Sequence, residues 1–328
     1  MTPLLPAQAG GAQAFVADLA AGLGRRGHRV QLYCAAGSQV PGVELVPIAV
    51  DASAARALVM PGGRPAPPNP ALRAGFESLF GELRRRGADA VSQHAFDAEA
   101  LELSEGLPVI HTLHLPPIVS GVVAAARHSR GRLATVSRAS QAAWARVGVE
   151  TMVLRNGVPD WHPAPSVDVS PVALIAGRIS PEKGIEDGIA AAHAAGLRPL
   201  VVGSDYDPAY RLTLSGAEFR PPLPRGDLWR LMAASAVCLM PSKWDEPFGL
   251  VAAEAQVAGC PVAAYDRGAL AEVVAEGAGG FLTPPDDIAA LAAAARRCLG
   301  LDRTEVRRQA RERLLMDSAL DAYEAVLR

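Results

Sequence analysis

Cysteine is scarce in this chain: four in 328 residues, at Cys34, Cys238, Cys260 and Cys298. They are far apart, with the spacing of neither a disulfide framework nor a zinc site. Three lie in or beside apolar runs, so they read as small buried thiols in a reducing compartment. Long hydrophobic runs are also missing. No stretch of 18 apolar residues occurs, and the N-terminus has no basic region followed by an apolar core. A soluble, cytoplasmic protein is therefore expected, with at most peripheral membrane contact. Charge of one sign is missing too. A net charge of −2 gives no general surface for polyanions, and the run Arg84, Arg85 and Arg86 reads as a solvated helix end. Nucleic acid is not an expected partner.

What the chain does have is apolar residues, at 50%, and many short connections, with 31 Gly and 27 Pro. Its length allows two domains with separate cores. Short apolar runs alternate with helix-length segments, the pattern of parallel α/β sheets. In the first half, strands are expected at 28–34, 43–48, 88–92, 108–113, 132–137 and 151–154, and helices at 12–23, 70–86, 97–104 and 139–146. Residues 50–70, rich in Ala and Pro, read as a long loop and a candidate acceptor-side element. Residues 158–171 hold four prolines without apolar periodicity, which makes them a linker. In the second half, strands are expected at 172–176, 199–202, 236–240, 262–265 and 280–282. Helices are expected at 185–195, 227–234 and 269–275, with two or three more from 287 onward.

The segment 241–265, PSKWDEPFGLVAAEAQVAGCPVAAY, carries the most chemistry. The strand at 236–240 leads into it. Pro247 is expected at the first position of a helix, which Leu250, Val251, Ala255 and Val257 continue at helical spacing. A helix start offers unpaired amides and a positive dipole end, together an anion site. Glu246 would flank that start, and Glu254 would lie two turns in, roughly 10 Å along the axis. An anionic ligand could meet Glu246, the amides of Phe248, Gly249 and Leu250, and then Glu254. A nucleotide sugar has that layout. A bare pair of glutamates is more often two unrelated surface acids, and the surrounding Pro, Phe-Gly and Gly-Cys-Pro argue otherwise.

These residues resemble the Glu-x7-Glu signature of the retaining glycosyltransferases of family four, and the resemblance extends over nearly the whole chain. It implies the GT-B fold: two Rossmann-like parallel-sheet domains facing a cleft, with a C-terminal helix crossing back to the N-terminal domain. The expected division is an acceptor-side domain at 1–158, a linker at 159–171, a nucleotide-sugar domain at 172–312 and the returning helix at 313–328. By the resemblance, Glu246 lies by the transferred sugar and Glu254 holds the ribose hydroxyls.

Other segments fit the same pattern. AGRISPEKG, residues 176–184, resembles the diphosphate-binding segment, with Arg178 as a bidentate clamp and Lys183 as a point charge. Gly10 and Gly11, before a helix, resemble the glycine pair that lets amides approach the donor phosphate; the bland alternative is an ordinary turn. In VIHTLHLPP, His114 aligns with the family histidine beside the transferred sugar, and His111 reads as a packed core residue. Ser137 and the pair Asn156 and Gly157 match segments near the cleft and hinge, where turn geometry and interdomain hydrogen bonding are expected. The segment from Gly268 to Glu272 matches a glycine-rich element, a possible donor contact.

Two features run against simple matching. Gly22, Leu23, Gly24, Arg25, Arg26 and Gly27 spell the dinucleotide fingerprint, yet a helix precedes them and a strand follows, the reverse of what that motif requires. They read as a helix end, and NAD is not expected. The family also begins with an apolar strand before the glycine pair, where this chain has residues 1–6 with prolines at positions 3 and 6. That central strand looks truncated or absent.

The resemblance implies a retaining transfer from a nucleoside diphosphate sugar to a hydroxyl acceptor, with no metal and no cofactor. Asp205 and Asp207 read as loop residues rather than a metal-binding pair. UDP-sugars lead among the donors, with GDP, ADP and dTDP open. A sugar-nucleotide epimerase or hydrolase, or a non-catalytic nucleotide-sugar-binding subunit, is the alternative.

Overall fold

Short apolar strands separated by amphipathic helices can bury both sheet faces only when the strands run parallel and helices cover them. Every strand pair among the described residues is parallel. The computed structural model describes residues 3–5, 10–48, 70–162 and 168–328. Apart from Pro70, the loop expected at 50–70 lies outside them, as does 163–167 of the linker.

The chain divides into two units. The first holds Val16–Arg155 with Ala319–Arg328, and the second holds Asn156–Ser318 with the start of the first helix through Phe15.

In the first unit, α1 (Gly11–Arg25) is followed by a parallel pair, β1 (Gln31–Ala35) and β2 (Glu44–Ile48). A second sheet has the order β3 (Val91–Gln93), β4 (Val109–Leu113), β5 (Arg132–Thr135) and β6 (Met152–Val153). Among the described residues no strand joins the two sheets; residues 3–5 carry no strand, and Leu4 is tied to the loop after β1 through Ser38 Oγ at 3.0 Å and Gln39 N at 2.7 Å. The connecting helices are α2 (Pro70–Arg86), α3 (Ala98–Glu102), α4 (Ser120–His128) and α5 (Arg138–Arg146). Helix α2 shows why its sequence folds so: Leu72, Phe76, Leu79, Phe80 and Leu83 form one buried stripe, and Arg84, Arg85 and Arg86 sit at the negative end of the dipole. The fingerprint-like glycines close α1. Gly27, at φ 93°, donates to Gly24 O and His28 donates to Leu23 O, the two bonds of a Schellman cap.

The second unit is one six-stranded sheet. Its elements are β7 (Ser170–Ala176), α6 (Ile185–Ala194), β8 (Arg198–Val202), α7 (Pro208–Thr213), β9 (Glu218–Arg220), α8 (Arg225–Ala234) and β10 (Ser235–Met240). They continue with α9 (Leu250–Val257), β11 (Val262–Tyr265), α10 (Leu270–Val273), β12 (Gly280–Thr283), α11 (Ile288–Cys298) and α12 (Arg303–Leu314). The strand order is β12-β11-β10-β7-β8-β9, a doubly wound sheet whose direction of winding reverses between β7 and β10.

The last helix, α13 (Met316–Leu327), follows α12 after a break at Leu315. Val158 is bonded on both sides of that break, to Leu314 O and from Met316 N. Gly157 has no room for a side chain there, because a Cβ would come within 2.7 Å of the Leu315 carbonyl and Met316 Cα. From Ala319 onward α13 packs in the first unit: Tyr323 is buried with its hydroxyl 3.0 Å from Thr112 Oγ1, and Arg26 pairs with Asp321 and Glu324. The expected return of the C-terminal helix to the N-terminal domain is thus present.

Candidate functional site

In open α/β sheets, ligands bind at the carboxyl ends of the two central strands where the winding reverses. In the second unit those ends carry the loops after β7 and β10, which contain most of the site residues expected from sequence. The β7 loop runs through Arg178 to a 3-10 turn at Pro181–Lys183 and then Gly184. Gly184 adopts φ 60° against the Pro241 carbonyl, so the two loops touch backbone to backbone, and Lys243 N donates to Glu182 O at 2.8 Å.

Across this seam Lys183 Nζ donates to Glu246 Oε1, which also accepts from Ser242 Oγ at 2.6 Å. Lys183 Nζ lies 5.2 Å from the Trp244 ring centre. Burial by itself would raise the Glu246 carboxyl. The Lys183 charge and the hydrogen bonds from Lys183 and Ser242 outweigh it and hold the group below the usual carboxylate range. Arg178 stacks over Tyr206 at 4.9 Å and reaches the buried Glu182 at 3.4 Å. Of the residues expected at the diphosphate and the sugar, Lys183 and Glu246 are in direct contact.

The helix after β10 begins later than its sequence suggests. Pro247 is not at the first helical position; Gly249 is the N-cap, at φ 91°, and α9 starts at Leu250. The left-handed turn is what lets Phe248 drop into the core, 3% exposed, while Glu246 stays level with Gly268 in an isolated parallel bridge. Glu254 then lies one turn into α9 rather than two, and Glu246 lies off the helix. Helix α1 ends its approach at the same place: a Cβ on Gly11 would come within 2.9 Å of Leu250 Cδ1, so the amino-terminal ends of α1 and α9 are side by side. Gly10 precedes it, with its carbonyl accepting from Ala14 N at 3.3 Å.

Glu254 is 8% exposed, on a helix buried nearly all round, and accepts from Arg225 Nε at 2.7 Å. Sequence reasoning missed Arg225 because nothing local marks it; its partner lies 29 positions away. Ser242 and Glu182, also missed, lie inside segments whose neighbours were identified.

In the first unit, His114 directly follows β4 and is buried, with Nε2 2.9 Å from His94 Nδ1. Burial pulls its pKa down to about 4, so it is neutral at physiological pH. His111, within β4, is a satisfied core residue bonded to Gln93 Oε1 at 2.9 Å and Ser104 Oγ at 3.1 Å.

The remaining residues have structural employment. Ser137 caps α5 through Ser140 N. Asp207 caps α7 through Tyr210 N, and Asp205 faces Arg211 at 3.7 Å. Among the described residues no group of three or more His, Cys, Asp or Glu could hold a metal, and no helix is long and apolar enough to cross a membrane.

Comparison with known proteins bears on the fold and its relatives. Residues 9–160 match the family described as Glycosyltransferase Family 4, and residues 162–313 match Glycosyl transferases group 1. Glycogen synthase of Mycobacterium tuberculosis is 33% identical over 186 residues, which covers 51% of this chain and 45% of that protein. The chain thus spans under half the length of this curated relative. Among solved structures, AviGT4, a glycosyltransferase involved in avilamycin A biosynthesis, is 26% identical with a TM-score of 0.72, covering 99% of this chain and 91% of that one. Anabaena Alr3699/HepE, solved with UDP and glucose, is 21% identical with a TM-score of 0.76, covering 98% and 96%. The matches relate this chain to the GT-B-fold glycosyltransferases of family four.

Proposed function

We propose that this protein transfers a sugar from a nucleoside diphosphate sugar to a hydroxyl acceptor with retention of configuration. The observation that carries the reading is the meeting of Lys183 and Glu246 across the loops after β7 and β10, at the switch point of the sheet. Leaving-group charge and sugar recognition are thereby supplied from adjacent loops. UDP leads among the candidate bases, since a solved relative of the same fold was captured with UDP and glucose.

When the anomeric carbon–oxygen bond breaks, its electron pair goes to the diphosphate and positive charge develops on the sugar. Arg178, Lys183 and the α9 amides meet the departing negative charge, the role that preorganised dipoles and cations serve best. These protein groups provide that charge, and the mechanism calls for no metal. Glu246 orients the sugar hydroxyls, and we assign His114, neutral when folded, to the sugar ring. The acceptor oxygen attacks the face the diphosphate leaves, and its proton passes to a departing phosphate oxygen. The four buried free thiols suit a cytoplasmic enzyme.

A thermal-shift screen of UDP, GDP, ADP and dTDP tests the donor reading, since a ligand at 100 times its dissociation constant adds about 2.7 kcal/mol. The proton coupling constant at the new anomeric centre then tests retention. No shift with any diphosphate defeats the donor reading, and an inverted product defeats the mechanism.

A further inference from the structure

Arg225 opens α8 and donates through Nε to Glu254 Oε1 at 2.7 Å, the two side chains being 20% and 8% exposed. A carboxylate so far removed from water needs a compensating cation, and orientation matters as much as charge. The guanidinium of Arg225 is held flat: its central carbon lies 4.8 Å from the ring centre of Trp229, one helical turn further along α8. Trp229 in turn packs on Trp161 at 6.0 Å between ring centres. Trp161 belongs to the segment leaving the first unit, and that segment is fastened to α12. Arg307 donates to Trp161 O at 2.7 Å, and Arg311 holds both oxygens of Asp160 at 3.1 and 2.6 Å. A continuous chain of contacts therefore runs from an anchored backbone through two tilted indoles and a guanidinium to Glu254, all within the second unit.

We infer that Arg225 is a positioning residue for the nucleoside, holding the Glu254 carboxylate aimed so that it accepts from the vicinal hydroxyls of a ribose. This rests on the assignment of Glu254 to the ribose in the proposed function. Its consequence is selection: Arg225, acting only through Glu254, favours ribonucleotide donors over deoxyribonucleotide ones. Trp229 and Trp161 keep the guanidinium from swinging toward solvent, away from the carboxylate.

Calorimetric titration of the whole protein with ADP, GDP and UDP, each against its 2′-deoxy counterpart, tests this. The wild type is expected to prefer the ribo member by about tenfold. Arg225→Met should weaken the ribo member by a similar factor, leave the deoxy member within about twofold, and add nothing once Glu254→Gln is present. Arg225→Lys should recover part of the preference. Trp229→Leu, which touches neither carboxylate nor nucleotide, should erode it in the same sense, and it keeps the test open should Arg225→Met fold poorly. Equal losses for both members in Arg225→Met, or unchanged selectivity in both Arg225→Met and Trp229→Leu, would overturn the inference while leaving the ribose role of Glu254 standing. Selectivity unaltered by Glu254→Gln, or no diphosphate bound at all, would instead remove the assignment beneath it.

Discussion

Lys183 and Glu246 form an ion pair across 63 positions of sequence, and that pair closes the seam between the loops after β7 and β10. Its members are the cation assigned to the diphosphate and the carboxylate assigned to the sugar. Without a donor they neutralise one another; a donor would find both charges already desolvated, with side chains 18% and 6% exposed. The site is preorganised by a contact between its own two functions.

This pairing makes stability testable without any substrate. Lys183→Met leaves Glu246 buried with only its neutral donors, and the loss should be about 2 kcal/mol or more. Adding Glu246→Gln removes the stranded charge and should restore much of that. Urea denaturation of the two single variants and the double variant gives the coupling. Additive losses would mean the pair is not energetically real.

Arg178 is expected to matter for geometry as well as charge. It is stacked on Tyr206 and paired with Glu182, so the guanidinium is presented in one orientation. Arg178→Ala should weaken nucleoside diphosphate binding about tenfold or more, and Arg178→Lys should not rescue it, because a point charge lacks the planar fork. Full rescue by lysine would reduce the residue to a bulk positive charge.

The sequence disclosed the sheets more fully than the contacts. Runs such as 262–265 and the stripe in 70–86 fixed their own element bounds, since turn residues flank the first and five apolar positions repeat at helical spacing in the second. The elements not foreseen are short or half-exposed. β9 has three residues at the sheet edge, α7 has six, and α4 begins at Ser120 behind an N-cap, Val119, that makes no side-chain cap bond. The start of α9 was misjudged because proline at a first helical position is a local rule, whereas the Gly249 turn answers to Phe248 burial and the Glu246 bridge to Gly268. Lys183 with Glu246 and Arg225 with Glu254 depend on strand order, which no window of sequence contains.

The buried histidines set an acid limit on stability. Burial lowers His111 from the ordinary 6.5 to about 4, lowers His114 likewise to about 4, and with the neighbouring histidines holds His94 well below its ordinary value. Between pH 6.5 and 4 the unfolded chain therefore binds more protons than the folded one. The stability these groups contribute is complete above pH 6.5 and declines as pH falls toward 4, His111 and His114 each contributing roughly 3 kcal/mol over that window. Urea midpoints at pH 7.5 and 5.5 should differ, and His111→Gln should flatten the difference. An equally steep profile in that variant would assign the acid sensitivity elsewhere.

Gly268 is expected to control the position of Glu246 through the backbone. It sits at φ 62°, bridged to Glu246, and Ala269 N donates to Glu246 O at 2.8 Å. A Cβ at this glycine would overlap the backbone N and O of Glu246 and come within 2.7 Å of the Asp245 carbonyl carbon. Backbone atoms cannot rotate away, so the 245–246 peptide must shift, and the left-handed conformation adds about 1–2 kcal/mol of strain. Gly268→Ala should thus lower thermal stability and displace the Glu246 carboxylate. A misplacement near 1 Å can cost about a hundredfold in turnover. Affinity for the bare diphosphate should hold within about threefold, because Arg178 and the α9 amides are on other elements. Steady-state kinetics and titration with UDP on the same preparation separate the two effects. Unchanged turnover in a variant that is measurably less stable would mean that Glu246 tolerates displacement, which is incompatible with its orienting the sugar.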